Sequence, residues 1–209
     1  MIGNLRRDYA GLRLPLAAIV IALLCGCARE DRQHVMVISV PDQRMVLYKD
    51  GDPVKAYPVS TSKFGLGDRP GSMATPLGLL KVKHKIGTNA PAGAVFKGRR
   101  LTGEVLAIDA PGRDPIVTRI LWLDGQESRN RRSFARYIYI HGTPEERTIG
   151  TPASYGCVRM RSRDIIELYE IVGVGARVKI VTESLLPPPP VAIPPPPEGS
   201  PPPPVPLQP

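Results

Sequence analysis

The sequence predicts a mostly β single domain of about 150 residues, spanning 34–182, and three observations predict it. Seven or eight short runs alternate in polarity or are rich in β-branched residues, the period of two that belongs to strands. Asp50-Gly51 stands between two of those runs, a strong short-range hairpin signal. Only one segment, opening at Ser162, carries a convincing helical stripe. A chain of that length is long enough to bury a proper core.

Taken in order, HVMVISV (His34 to Val40) is the first β-branched run. The next presents Met45 and Leu47 on one face and Val46 and Tyr48 on the other. Its hairpin partner, Val54 to Ser60, is flanked and interrupted by Pro53 and Pro58, which marks it as an edge strand. Ser60 to Ala74 is dense in glycine and serine and reads as a loop. From Thr75 to Ile86 the strand pattern returns: Leu80, Val82, His84 and Ile86 share one parity, Lys81, Lys83 and Lys85 the other. That parity puts His84 on the apolar side as a core or edge histidine. A Gly- and Ala-rich loop is expected over 87–98, then strands over 105–109 and 116–123, the latter holding Trp122. Gln126 to Arg136 carries four arginines, and YIYIH (Tyr137 to His141) alternates tyrosine with isoleucine.

The helix has Ser162 as its expected N-cap and Asp164 in the first turn, where the helix dipole favours a negative charge. Ile165, Leu168, Tyr169 and Val172 form its apolar stripe, and Gly173 or Gly175 ends it. A last strand runs from Ala176 to Thr182.

Both ends of the chain are different material. Arg6, Arg7 and Arg13 precede the apolar run Leu14 to Leu24, the layout of a secretory signal over 1–26. The run is too short to span a bilayer, which takes about 20 residues. Leu24-Cys25-Gly26-Cys27 resembles the lipobox of bacterial lipoproteins. That resemblance implies cleavage before Cys27, a lipid on its sulfur and a tether over 27–33; ordinary cleavage is the alternative. Ala28, in place of the aspartate that retains such proteins at the inner membrane, points to the outer membrane facing the periplasm. At the other end, 183–209 holds 14 of the chain's 25 prolines, in three seven-residue units starting at Pro187, Pro194 and Pro201. Such a segment is either a polyproline spacer of roughly 70 Å or a disordered end, and its partner is open.

The net charge is +9, of which +2 lies before Cys27. A basic exported protein is drawn to anionic surfaces such as cell wall or lipid headgroups, and nucleic acid is excluded by the compartment. Cysteine usage says more. Of three cysteines, Cys25 leaves with the signal and Cys27 is lipidated, so Cys157 stands alone as a candidate reactive thiol rather than half of a disulfide. The alternative is a small buried hydrophobe. His34, His84 and His141 lack ligand spacing with cysteines or carboxylates, so neither metal nor cofactor is implied.

The chemistry gathers in YIYIHGTPEERTIGTPASYGCVRM, Tyr137 to Met160. A thiol and an imidazole brought together by a loop are the parts of a cysteine nucleophile and its base. His141-Gly142-Thr143, Gly150 and Ser154-Tyr155-Gly156-Cys157-Val158-Arg159 together resemble the L,D-transpeptidases of the YkuD type. Ser60-Thr61-Ser62 and Thr75-Pro76-Leu77-Gly78 resemble that family's earlier landmarks. The resemblance covers about 34–182 and implies a β-sandwich-like catalytic domain with one main helix after the catalytic cysteine. It implies chemistry on peptidoglycan stem peptides, in which a tetrapeptide donor acylates the cysteine at its third residue and an amine accepts the acyl group. Carried onto this chain, Cys157 is the nucleophile, as a thiolate paired with imidazolium, and His141 the base. The Gly142 carbonyl orients the imidazole. Backbone N–H groups of Tyr155 and Gly156 face the oxyanion, and Arg159 and Ser154 bind substrate. Arg159 is also readable as a surface arginine beside Arg161 and Arg163.

Tyr155 departs from the family, which usually has histidine there. A backbone role survives that change, whereas a phenol, ionising ordinarily near pH 10, is a poor base. Three functions remain open: transpeptidation, an L,D-carboxypeptidase in which water accepts the acyl group, and a wall-binding lipoprotein without catalysis.

Overall fold

The computed structural model describes residues 30–185. The expected signal segment, Cys27 and almost all of the proline-rich tail lie outside them. Within these residues the chain forms β1 (His34–Ser39), β2 (Arg44–Lys49), β3 (Asp52–Pro58), β4 (Gly78–Ile86) and β5 (Ala94–Lys97). Next come β6 (Arg100–Val105), β7 (Ile116–Gly125), β8 (Tyr139–Gly142), a single 3-10 turn (Glu146–Thr148) and β9 (Val158–Met160). Helix α1 (Ser162–Ile171) and β10 (Arg177–Val181) complete it.

The strands join one mixed sheet in the order β3-β2-β1-β10-β4-β7-β5-β6, with β8 on β7 and β9 on β8. β2 and β9 are far apart along that path, yet Met45 and Leu47 share one core cluster with Val158 and Met160. The sheet therefore curls around a common core, and Ile165, Leu168 and Tyr169 of α1 pack into the same cluster. Closure comes just past β3, where Ser60 and Arg159 exchange two backbone hydrogen bonds of 3.0 and 2.9 Å. The mostly β, sandwich-like expectation holds. β3 pairs with β2 alone, and its prolines suit that edge.

Four expectations are corrected. His84 is exposed rather than core-facing, because the β4–β7 register slips between Val82 and His84 and the extra residue reverses the parity. The loop expected over 87–98 contains β5, and the strand expected over 105–109 lies earlier, as β6. β9 is a strand the sequence hid, since a three-residue run leaves no period to count. Ser162 is the first helical residue and not the cap. Its N–H donates to the Glu146 carboxylate at 2.7 Å, so the cap comes from the 3-10 turn, 16 residues upstream in the chain.

Gln43 fixes the start of the 60–76 loop. Its Oε1 accepts the Thr61 N–H at 2.7 Å, while Nε2 donates to the Val40 carbonyl and to Thr61 Oγ1 at 2.6 and 2.8 Å. All of this is buried, so truncation strands the Thr61 donor away from water. Gln43→Ala is expected to destabilise the domain by about 2–3 kcal/mol, read as a lower urea midpoint at unchanged slope.

Candidate active site

β8 and β9 run parallel, pairing Ile140 with Val158, His141 with Arg159 and Gly142 with Met160. Ile140 and Val158 point into the main core. His141 and Arg159 therefore point to the other face. Continuing the register by one position sets Cys157 beside Tyr139, next to His141 on that same face. Cys157 and Tyr139 indeed share a second, smaller apolar cluster with Trp122. The 16 positions that separate the expected imidazole and thiol are thus bridged by a three-residue ladder.

The imidazole is buried, and its Nδ1 lies 2.8 Å from the Gly142 carbonyl oxygen. A carbonyl only accepts, so Nδ1 carries the proton and the Nε2 lone pair is left free. Gly142 is needed for close approach: a Cβ there would stand 2.8 Å from the Val117 carbonyl oxygen and 3.0 Å from Thr118 Cβ. Thr118 itself sits in a bulge of β7 opposite the His141–Gly142 step, at φ 72°. A β-branched residue there is strained. Met73 and Tyr137, which border the thiol's turn, also have positive φ. Strain of this kind concentrates where surrounding structure holds a site in place.

The thiol donates to the Tyr137 carbonyl at 3.4 Å rather than to the imidazole. Burial pushes it up to about 11, against the pull of Arg159 and Arg136. Burial likewise pushes His141 down to about 4, opposed by its bond to Gly142 and assisted by Arg159. Burial thus disfavours charge on both groups, against the thiolate–imidazolium pair expected from the sequence.

Ser154 is fully buried and braces the turn. Its hydroxyl donates to the Cys157 carbonyl at 2.5 Å and accepts the Gly156 N–H at 3.2 Å. That removes Ser154 from substrate contact and occupies the Gly156 donor expected to face an oxyanion. Gly156 adopts φ 117°, and its carbonyl accepts from Thr75 Oγ1, which also accepts the Ser62 N–H. The two early landmarks of the sequence thus meet at the turn. Arg159 is neither a surface residue nor free for a ligand. It is 4% exposed and ion-paired with Asp114, whose other oxygen accepts from Thr143 Oγ1 at 2.5 Å. Tyr155 lies at the rim, 56% exposed, with Lys63 Nζ donating to its hydroxyl at 3.1 Å and Phe64 tilted against its ring.

Sequence reasoning missed Asp114, Arg136 and Asp68. Asp68 pairs with Arg136 at 2.9 Å in a buried clasp between the 60–76 and 126–137 loops. No sequence pattern links these partners, since 68 positions separate them. Among the described residues no group of His, Cys, Asp and Glu has the makings of a metal site.

Residues 33–180 match the family profile described as the YkuD L,D-transpeptidase catalytic domain. The Escherichia coli K12 protein named "Probable L,D-transpeptidase YbiS" is 31% identical over 178 residues, covering 82% of this chain and 53% of its own. YkuD of Bacillus licheniformis is 51% identical over 79 residues, covering 37% and 48%. The chain spans about half the length of these curated relatives. Among solved structures, the L,D-transpeptidase of Xylanimonas cellulosilytica aligns at TM-score 0.46 and 19% identity, covering 79% of this chain and 68% of that one.

The upward push of burial on the thiol has a measurable consequence. Alkylation of Cys157 by iodoacetamide should climb about tenfold per pH unit from 7 to 10, without levelling off. A rate already flat between pH 6 and 8 would mean that the ion pair forms at rest.

Proposed function

The chain belongs to the YkuD family of L,D-transpeptidases, and from that premise we propose that it transfers acyl groups between peptidoglycan stem peptides through a thioester on Cys157. One observation carries the reading: the Gly142 carbonyl holds the His141 Nδ1–H, leaving Nε2 as a lone pair on the face that bears Cys157.

Nε2 takes the thiol proton as sulfur attacks the carbonyl of the donor's third residue. The resulting oxyanion is met by backbone N–H groups of Cys157 and Tyr155, since Gly156 N–H is held by Ser154. One such donor contributes about 3 kcal/mol in comparable sites. The tetrahedral centre collapses, the bond to the fourth residue breaks, and the imidazolium protonates the leaving amine. An acceptor amine then attacks the thioester, loses its proton to Nε2, and the thiol is restored. Arg159 positions this machinery rather than binding substrate. Its ion pair to Asp114, itself bonded to Thr143, ties the strand after Cys157 to the strand after His141.

The same reading places the protein outside the cytoplasm. A lipid on Cys27 holds it to the outer membrane on the periplasmic side. Glu183 and Leu185, among the last residues described, are tied to Ser39 and Asp42 at the turn after β1.

Incubation with disaccharide-tetrapeptide, read by mass, should yield cross-linked dimer. Free tripeptide alone would instead indicate a carboxypeptidase, and no product would sink the enzymatic reading. Cys157→Ala abolishes turnover while the protein stays folded, and His141→Gln lowers kcat by about 10²–10⁴. Because burial holds the base down at about 4, the acid limb of the rate should fall well below pH 6, instead of near the ordinary histidine value of about 6.5. Cys27→Ala should release the protein from membranes; retention would place the anchor elsewhere.

A further inference from the structure

Burial of Arg159 against Asp114 leaves the substrate's charge without its expected partner, and another cation reaches the tyrosines beside Cys157 from the β5–β6 hairpin. Lys97 pairs with Arg100, so Gly98 and Arg99 form a two-residue turn with φ of 58° and 67°. A turn with both central residues at positive φ favours glycine or asparagine at each. Here the second position is an arginine, a conformation that costs roughly 1 kcal/mol.

That geometry lays the guanidinium across the site. Arg99 Cζ stands 4.7 Å from the centroid of Trp122 and 5.0 Å from that of Tyr137, and Nη1 is 3.5 Å from the Tyr139 hydroxyl. Tyr137 is the residue whose carbonyl receives the Cys157 thiol, and Tyr139 is the register neighbour of Cys157. Trp122 is itself stacked on Phe134 at 4.1 Å, so the platform under the guanidinium is rigid. Arg99 has no carboxylate partner among the described residues. Arg136 and Arg159, the two arginines that act on the thiol, are both buried in ion pairs.

We propose that Arg99 receives a free carboxylate of the peptide attacked by Cys157, making the β5–β6 hairpin a determinant of donor specificity. The proposal rests on the reading of Cys157 as the acylated nucleophile. A planar guanidinium held on aromatic faces keeps edge N–H groups for a two-pronged bond to a carboxylate, which an ammonium cannot match. Pre-placement on the rings lowers the entropy lost on binding.

Two small alkylating reagents test this without any assumption about peptidoglycan. Iodoacetate carries a carboxylate and iodoacetamide does not, so the ratio of their rates at Cys157 reads the anion preference of the site. Arg99→Gln should lower that ratio about tenfold, the scale of one charge-assisted hydrogen bond, and Arg99→Lys should restore part of it. An equal ratio in wild type and Arg99→Gln overturns the proposal. So does a loss seen with Lys63→Gln in place of Arg99→Gln, which would put the anion on the Tyr155 rim. In the unmodified protein, tetrapeptide with free carboxylates should protect Cys157 from iodoacetamide better than its fully amidated form, and equal protection overturns the proposal. With turnover, Arg99→Gln should raise KM more than it lowers kcat. A changed reagent ratio without turnover on tetrapeptide would retain the carboxylate site and reject the transpeptidase reading, so the two fail separately.

Discussion

Everything at this site depends on the parallel pairing of β8 with β9. Three residues on each strand are enough to bring an imidazole and a thiol, 16 positions apart in the chain, to neighbouring places on one face. So short a ladder is held from outside. Ser60 pairs with Arg159 on the far edge of β9, and β7 pairs with β8 on the other side. The Arg159–Asp114–Thr143 linkage then joins the two strands through side chains. Removing one partner of such a buried pair leaves an uncompensated charge, which typically costs about 3–5 kcal/mol. The ion pair is thus better understood as holding register than as adding net stability.

The same enclosure decides the electrostatics. The buried surroundings that fix the imidazole on a backbone carbonyl also disfavour charge on both groups. Charge on the substrate is left to groups at the rim, where Arg99 and Lys63 rest on aromatic rings.

Much of this was legible in the sequence, and what was not has a physical reason. The periods of the longer strands, the Asp50-Gly51 turn and the helix stripe are local signals and read correctly. Cys157, His141 and the Gly142 carbonyl followed from spacing together with family resemblance. His84 was misplaced because one bulge residue inverts every later parity in a strand, and a bulge has no mark in the alternation itself. Ser154 and Arg159 were misassigned for a related reason. Polar residues beside a nucleophile suggest substrate contacts, but only the fold reveals that a buried carbonyl or Asp114 already takes their hydrogen bonds. Arg99 was invisible because its importance comes from a hairpin crossing to Trp122 and Tyr137, not from its neighbours in the chain.

The central claim is a covalent one, that Cys157 carries the acyl group. Intact-protein mass spectrometry after a brief incubation with tetrapeptide and an acid quench tests it most directly. The expected adduct equals the tetrapeptide less its fourth residue, maps to Cys157 and is lost on treatment with hydroxylamine. Turnover without any such adduct, or an adduct mapped to another residue, would contradict it.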